Sequence, residues 1–404
     1  MGKMVTTDKL ETLVAAARFD SCGVSGESSK RTSLSPRNPM RFIYKAALPN
    51  GGSVCLFKVL LTNTCINDCG YCVNQIGRDV PRCTFQPEEL AKLFMEMHRK
   101  RLVQGLFLSS GIGKDASRTM EQMVNTVEIL RHTYEYKGYI HLKILPGASF
   151  DCIEAGCKLA DRVSVNIEAP TVRHLAKLSR KKDLYNGILE RMRWVKQLTD
   201  KNEAIVPSGQ TTQFVVGAAG ETDRDILHAT EALYGEVGLR RAYFSAFSPV
   251  RNSRLEELRP TPPIREHRLY QVDWLFRVYG FSPGEIELTL NTEGNLPLKR
   301  DPKLTIAQKQ PWLFPVDVNK ATYQELIRVP GIGPVSAGRI VEARRDHSIN
   351  AVQQLKKMRV ATNRAVPYIW FKGMLEFEKQ ASFIPDIAED ITSQPVPSLA
   401  EAFK

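Results

Sequence analysis

The sequence predicts an α/β protein whose parallel sheet curls into a partial (β/α)6 barrel, followed by a small all-α unit. Three observations predict it. Six short apolar runs alternate with amphipathic helical patterns between residues 53 and 250, the signature of strands joined by crossover helices. A cysteine-rich loop directly follows the first run, and such folds place their function at the carboxyl ends of strands. After Pro315 the pattern becomes helical throughout, with short helices around the turn Pro330-Gly331-Ile332-Gly333.

The first fifty residues come before the alternation. Leu10–Phe19 has a helical pattern, and the polar, basic stretch Glu27–Pro39 reads as an irregular arm, either a solvated surface segment or a nucleic-acid contact. Charges at Lys3, Asp8, Lys9, Glu11 and Arg18 interrupt any signal-peptide core. No run approaches the roughly 20 apolar residues of a membrane span, so the protein reads as cytoplasmic, with no membrane partner. The chain has 404 residues, and 56 Lys and Arg against 44 Asp and Glu give a net charge of +12. That excess suits an anionic partner without identifying it, and equally suits a basic enzyme with a solvated surface.

The strand candidates are Val54–Leu61, Gly105–Ser109, Tyr139–Ile144, Arg162–Ile167, Thr211–Val216 and Ala242–Phe247. Helical patterns lie at Glu88–Arg101, Met120–Tyr134, Asp151–Leu159, Tyr185–Leu198 and Asp223–Tyr234. Thr261-Pro-Pro263 opens a further helix to about Tyr279, since Pro suits a first turn. Pro311–Pro315 resembles a packed linker. The expected organisation is an N-terminal helix and arm at 1–50, the partial barrel at 51–260, a helix and linker packing on the barrel at 261–315, a helical unit at 316–380 and a flexible tail at 381–404.

The segment Asn63-Thr-Cys65-Ile-Asn-Asp-Cys69-Gly-Tyr71-Cys72 carries the most chemistry. On a helix, this spacing would align three thiols as a buried stripe. Asn63, Thr64, Asn67, Asp68 and Gly70 oppose that reading, because they favour loops over helix interiors. A loop with three thiolates and no fourth suits an iron–sulfur cubane with one open iron, whereas a closed zinc site wants four ligands. Cys22, Cys55, Cys83, Cys152 and Cys157 read as buried or incidental thiols.

Cys65-x-x-x-Cys69-x-Tyr71-Cys72 after a first strand resembles the cluster motif of the radical S-adenosylmethionine (SAM) superfamily. The resemblance implies a [4Fe–4S] cluster held by Cys65, Cys69 and Cys72, with SAM on the open iron and the backbone near Tyr71 facing the adenine. Ser109-Ser110-Gly111 resembles the family's Gly-Gly-Glu segment, which meets the methionine amino group, although serines replace the leading glycine and no Glu follows. Asn166-Ile-Glu168 with Arg180 downstream is similar to the segment that binds the SAM ribose and carboxylate. Gln213-Phe-Val-Val216-Gly217 and the following Gly220-Glu221-Thr resemble the turn that packs beside the adenine. This resemblance covers about residues 50–250 and implies a reducing partner such as flavodoxin or ferredoxin.

Residues 317–341 resemble a helix–hairpin–helix DNA-binding module. The glycines of Pro330-Gly331-Ile332-Gly333 permit a tight turn whose amides would form a nest for a DNA phosphate. Ile332 would anchor the hairpin in the core, and Arg339, Arg344 and Arg345 add charge. Such contacts recognise backbone, not sequence. The alternative is a helical corner used for packing or protein contact. Leu355–Arg364 fits a degenerate second copy without glycines.

As a whole, the chain resembles a bacterial family of radical SAM proteins assigned to DNA modification or repair and encoded beside a uracil-DNA-glycosylase-like protein. The expected activity is hydrogen abstraction from a nucleotide in DNA. The competing readings are a radical SAM enzyme acting on tRNA, a cluster-bearing helix–hairpin–helix glycosylase and a non-catalytic cluster-containing DNA-binding protein.

Overall fold

The structure, a computed structural model, describes residues 6–17, 43–47 and 53–371. The arm Glu27–Pro39, Cys22 and the tail from residue 381 lie outside the described residues. The chain divides into two compact units, the first ending near Pro262 and the second running from Pro263 with the short segment Thr222–Arg224.

The first unit begins with α1 (Thr6–Ala17), followed by strands β1 (Ile43–Ala47) and β2 (Ser53–Leu60). The cysteine loop follows, then α2 (Pro87–Arg99), β3 (Gly105–Ser109), α3 (Ala116–Glu128), β4 (Tyr139–Lys143) and α4 (Phe150–Leu159). The remaining elements are β5 (Arg162–Ser164), α5 (Val172–Leu178), α6 (Glu190–Lys201), β6 (Gln210–Val216), α7 (Asp223–Glu236) and β7 (Arg241–Ala246). The sheet has seven strands in sequence order, β1-β2-β3-β4-β5-β6-β7. β2 through β7 pair in parallel and β1 pairs antiparallel with β2.

All six predicted strands are present, and β1 makes a seventh. Its sequence, Ile-Tyr-Lys-Ala-Ala, carries no strong apolar alternation. Two predicted helices divide at π-turns: α3 passes into Ile129–Thr133, and Leu184–Leu189 precedes α6. Arg131, within the first of these turns, donates to the carbonyls of Leu159, Tyr136 and Gly138 and pairs with Asp161 at 2.9 Å.

Outward positions of the strands carry the core against the helices, with Phe57, Val59, Leu106, Leu108, Leu142, Val163 and Phe214 almost fully buried. Inward positions carry the polar residues. Since side chains alternate along a strand, the sheet has one apolar face under the helices and one polar face toward the interior of the half-barrel.

The second unit contains α8 (Pro263–Arg277), α9 (Pro283–Glu287), α10 (Pro302–Lys309), β8 (Val316–Asp317), α11 (Tyr323–Arg328), α12 (Pro334–Ala343), α13 (Val352–Lys357), α14 (Thr362–Ala365) and β9 (Ile369–Trp370). The segment expected to be wholly helical carries one short parallel ladder, β8 with β9. Its core is built from Val318, Leu326, Val329, Ile332, Ile340, Leu355 and Ile369.

Candidate functional site

The cysteine loop leaves β2 and is closed at its neck. Thr62 bridges to Thr84, Asn63 Nδ2 donates to the Pro81 carbonyl at 2.7 Å, and the Cys83 amide donates to Asn63 Oδ1 at 2.8 Å. Arg82 fills the interior of the loop. Its guanidinium donates to the carbonyls of Asn63, Asn74, Gln75 and Arg78. A planar fork with five N–H donors can hold several acceptors at once. These hydrogen bonds tie the loop to itself at several points.

The segment after β3 is pressed against this loop. The Gly111 amide donates to Thr62 O at 2.7 Å and the Ile66 amide donates to Ile112 O at 2.8 Å. A Cβ on Gly111 would lie 2.6 Å from the Thr64 carbonyl oxygen. Only glycine allows that approach, so Gly111 sets how closely the β3 end meets the cysteines.

Cys65, Cys69 and Cys72 line one cavity of about 190 Å³ at the carboxyl ends of the strands. Burial raises the Cys69 and Cys72 thiols, the latter to about 12, and the neighbouring thiols raise them further while Lys182 opposes the shift. Among the described residues no three His, Cys, Asp or Glu side chains close round a point as a single-ion site. The thiols instead border a cavity. Of the other predicted residues, Tyr71, Ser109, Ser110, Gly111, Asn166, Glu168 and Gln213 line the same cavity.

Two predicted residues are not brought to it. Val216 is fully buried on the opposite face of β6, one position out of phase with Gln213 and Val215, which line the cavity. Arg180 is exposed, and its backbone amide donates to Asp68. Lys182, two residues on, lines the cavity in its place. Its Nζ donates to Glu168 Oε1 at 3.0 Å and to the Tyr71 hydroxyl at 3.0 Å. Burial works against the Lys182 charge, but Cys69 and Glu168 outweigh it and hold its pKa above the ordinary lysine value. Desolvation, together with Cys69 and Glu168, keeps the Tyr71 hydroxyl neutral.

Sequence reasoning missed Lys182, Arg82 and Lys143. Lys143 Nζ donates to Asn166 Oδ1 at 2.6 Å inside the cavity. The inward alternation of β4 was the available signal for Lys143. No local signal marked the other two, since only the fold brings them to the loop.

Asp68 anchors the loop to the segment after α5. It accepts from Ser179 Oγ at 2.6 Å and from the Arg180 amide. Desolvation would raise its pKa, but these hydrogen bonds and the charge of Arg254 prevail and lower it. The turn after β6 is closed by Glu221, whose carboxylate accepts from the Gly217 and Ala219 amides.

Two buried polar atoms at the cavity have no protein partner, Ser110 Oγ and Glu168 Oε2. Glu168 also adopts a left-handed backbone, φ +67°. An unpaired buried acceptor and a strained backbone are features that persist where a ligand uses them.

In the second unit, Gly331 has φ +87° and Ile332 is 1% exposed, anchoring the turn as expected. The Ile332 amide donates to Val329 O and so is not offered to an outside anion. The Ile332 carbonyl accepts from Lys303 Nζ at 2.5 Å. The glycine-free second turn packs directly on the first, with the Ala361 amide donating to Gly331 O at 3.0 Å. Arg359 supplies its left-handed residue, φ +63°. Arg339 is half-buried on α12 and Arg345 is exposed, whereas Arg344 is held by the Val318 carbonyl.

A polar-lined parallel half-barrel with a three-thiol loop at its carboxyl edge defines the class: an α/β protein built around a thiol-bordered cavity. Residues 59–233 match the radical SAM superfamily, and residues 315–364 match the helix–hairpin–helix motif. The cofactors of that superfamily are a [4Fe–4S] cluster and SAM. No curated protein sequence matches the chain.

Similar solved structures include HydG, a maturase of the [FeFe]-hydrogenase, at 12% identity and TM-score 0.42, covering 54% of this chain and 49% of that one. HydG from Carboxydothermus hydrogenoformans matches at 16% identity and TM-score 0.40, covering 52% and 48%. Methylornithine synthase matches at 14% identity and TM-score 0.43, covering 52% and 58%. The chain thus spans about half the length of the structures it matches.

Proposed function

We propose that the chain is a radical SAM enzyme that modifies or repairs a nucleotide in DNA. The observation that carries the reading is the convergence of three thiols, the Lys182–Glu168 pair and the unsatisfied Ser110 and Glu168 oxygens on one cavity. Cys65, Cys69 and Cys72 would hold the cluster through thiolates, leaving a fourth position open. When bound, the cluster and SAM supply a 5′-deoxyadenosyl radical by one-electron reductive cleavage.

The chain's own groups supply position and charge. Glu168 Oε2, directed by Lys182, offers an acceptor to ribose hydroxyls or an ammonium group. Lys182 offers a buried cation to a carboxylate. Ser110 Oγ can donate or accept beside the cysteine loop. Tyr71 is held neutral and walls the cavity with its ring. The Gly331 and Gly333 amides at the start of α12 would offer the phosphate contact of the hairpin. The target base would need to leave the helix stack to reach the cavity.

The test is anaerobic protein with reconstituted cluster, given SAM and dithionite, with and without duplex or single-stranded DNA. The expected result is DNA-dependent 5′-deoxyadenosine carrying deuterium from labelled DNA. Production driven by tRNA instead would favour the tRNA reading. No production by the unaltered protein would leave a non-catalytic cluster-bearing DNA binder, and production undiminished in Cys65→Ala would remove Cys65 from the cluster.

A further inference from the structure

Below the cavity, the inner face of the half-barrel carries a second polar level. Lys143 is in register with Ser164, Ser164 with Thr211, and Thr211 with Arg241. Registered residues on parallel strands share a face, and Lys143 lines the cavity. The rung Lys143–Ser164–Thr211–Arg241 therefore faces inward. One rung toward the amino ends of the strands, His141 is in register with Arg162, and Phe107 with Lys58. No Asp or Glu occupies an inward position of β2 through β7.

The middle of the rung has hydroxyls without work. Ser164 and Thr211 are 5% and 0% exposed, yet Ser164 Oγ and Thr211 Oγ1 have no hydrogen-bond partner, and neither does the Nε of Arg162. The neighbouring Thr212 points to the other face, where its hydroxyl donates to Val165 O at 2.6 Å and accepts from the Ile167 amide. The hydroxyl of Thr212 on the outer face is thus satisfied, whereas those of Ser164 and Thr211 on the inner face are not. Buried hydroxyls left unpaired are costly and call for a ligand. Two donors flanked by a lysine and an arginine, on strands that carry no Asp or Glu, suit an oxyanion, the Glu168 carboxylate lying beyond the end of β5 and paired with Lys182.

We propose that the rung Lys143–Ser164–Thr211–Arg241 is an anion site that takes the phosphate group of the substrate. Asn166 and Gln213 lie two residues nearer the cysteine loop, about 7 Å along the strands. A nucleotide whose phosphate rests on the rung would direct its sugar and base toward that loop. The site itself stands on the sheet; only the assignment of its phosphate to a nucleotide rests on the proposed function.

The test is calorimetry and thermal unfolding of the full chain with its cluster, anaerobic and without reductant. The probes are inorganic phosphate, a deoxynucleoside 5′-monophosphate, a dinucleotide with an internal phosphodiester, and the unphosphorylated deoxynucleoside. The monophosphate should bind about tenfold or more tightly than the deoxynucleoside, and inorganic phosphate should raise the unfolding midpoint. Tighter binding of the dinucleotide would place a DNA phosphodiester on the rung, whereas preference for the monophosphate would place a terminal phosphate there.

The double variant S164A/T211V should raise the ligand-free midpoint by removing unsatisfied hydroxyls, while weakening phosphate binding about tenfold. Arg241→Gln provides an independent loss of phosphate affinity. Equal binding of phosphorylated and unphosphorylated probes by the unaltered chain, or unchanged phosphate affinity in both variants, would overturn the site. DNA-dependent 5′-deoxyadenosine without phosphate binding would reject the site and keep the proposed function. Phosphate binding without that product would do the reverse.

Discussion

Lys182 and Glu168 form a buried ion pair at 3.0 Å, with side chains 8% and 6% exposed, and the same lysine nitrogen reaches the Tyr71 hydroxyl. The pair joins the end of β5 to the cysteine loop, although the two residues lie on separate segments.

Removing one partner leaves a buried charge alone. Lys182→Met should destabilise the chain by about 3 kcal/mol, because the uncompensated Glu168 carboxylate stays buried. The double variant K182M/E168Q should recover most of that loss in urea unfolding. It should not recover SAM affinity, which equilibrium binding would measure separately.

Arg82 holds four carbonyls of the loop that carries the cysteines. Arg82→Lys retains the charge and loses the fork. Iron and sulfide bound per chain after reconstitution should fall at least severalfold. Retention equal to the unaltered protein would mean the loop keeps its shape without the guanidinium.

Two glycines near the hairpin should respond to alanine with opposite signs. Gly331 has φ +87°, and an added Cβ would lie 2.5 Å from Ala361 O, so Gly331→Ala should cost about 1–3 kcal/mol and weaken DNA binding. Gly338 sits within α12, where an added Cβ meets nothing within 4 Å. Gly338→Ala should stabilise by roughly 0.4–1 kcal/mol. Thermal unfolding and fluorescence anisotropy with labelled duplex, at fixed salt, check both.

Lys303 gives the second unit a pH dependence. Burial pushes its pKa down to about 7, against the pull of Asp301 and with the help of Arg364 and Arg328. The unfolded lysine titrates near about 10.4. Between those values the unfolded chain holds a proton that the native chain lacks. Stability from this group therefore rises with pH from about 7 to about 10 and is flat below that window. The rise should be on the order of 4 kcal/mol. Lys303→Met should abolish it in urea titrations across the window, and an unchanged slope would refute the assignment.

The sequence made the parallel strands legible because each is an apolar run framed by helical periodicity. It made the cysteine loop legible because its spacing sits among residues that reject a helix. β1 escaped because Ile43–Ala47 lacks that contrast and exists through its pairing with β2. Val216 could have been separated from Gln213 by counting alternation along β6. Lys182 could not have been chosen over Arg180, because that choice depends on how the backbone after α5 turns around Asp68. The inner hydroxyls of Ser164 and Thr211 gain meaning only when neighbouring strands are in register.

The closed neck of the cysteine loop affects how the protein matures. Asn63, Arg82 and the Thr62–Thr84 bridge already order this stretch through protein bonds. The conformational entropy of the loop is then surrendered when the chain folds, not when iron and sulfide arrive. Those bonds should keep the first unit folded when chelation removes the inorganic centre, so that iron and sulfide can be added back without refolding the chain.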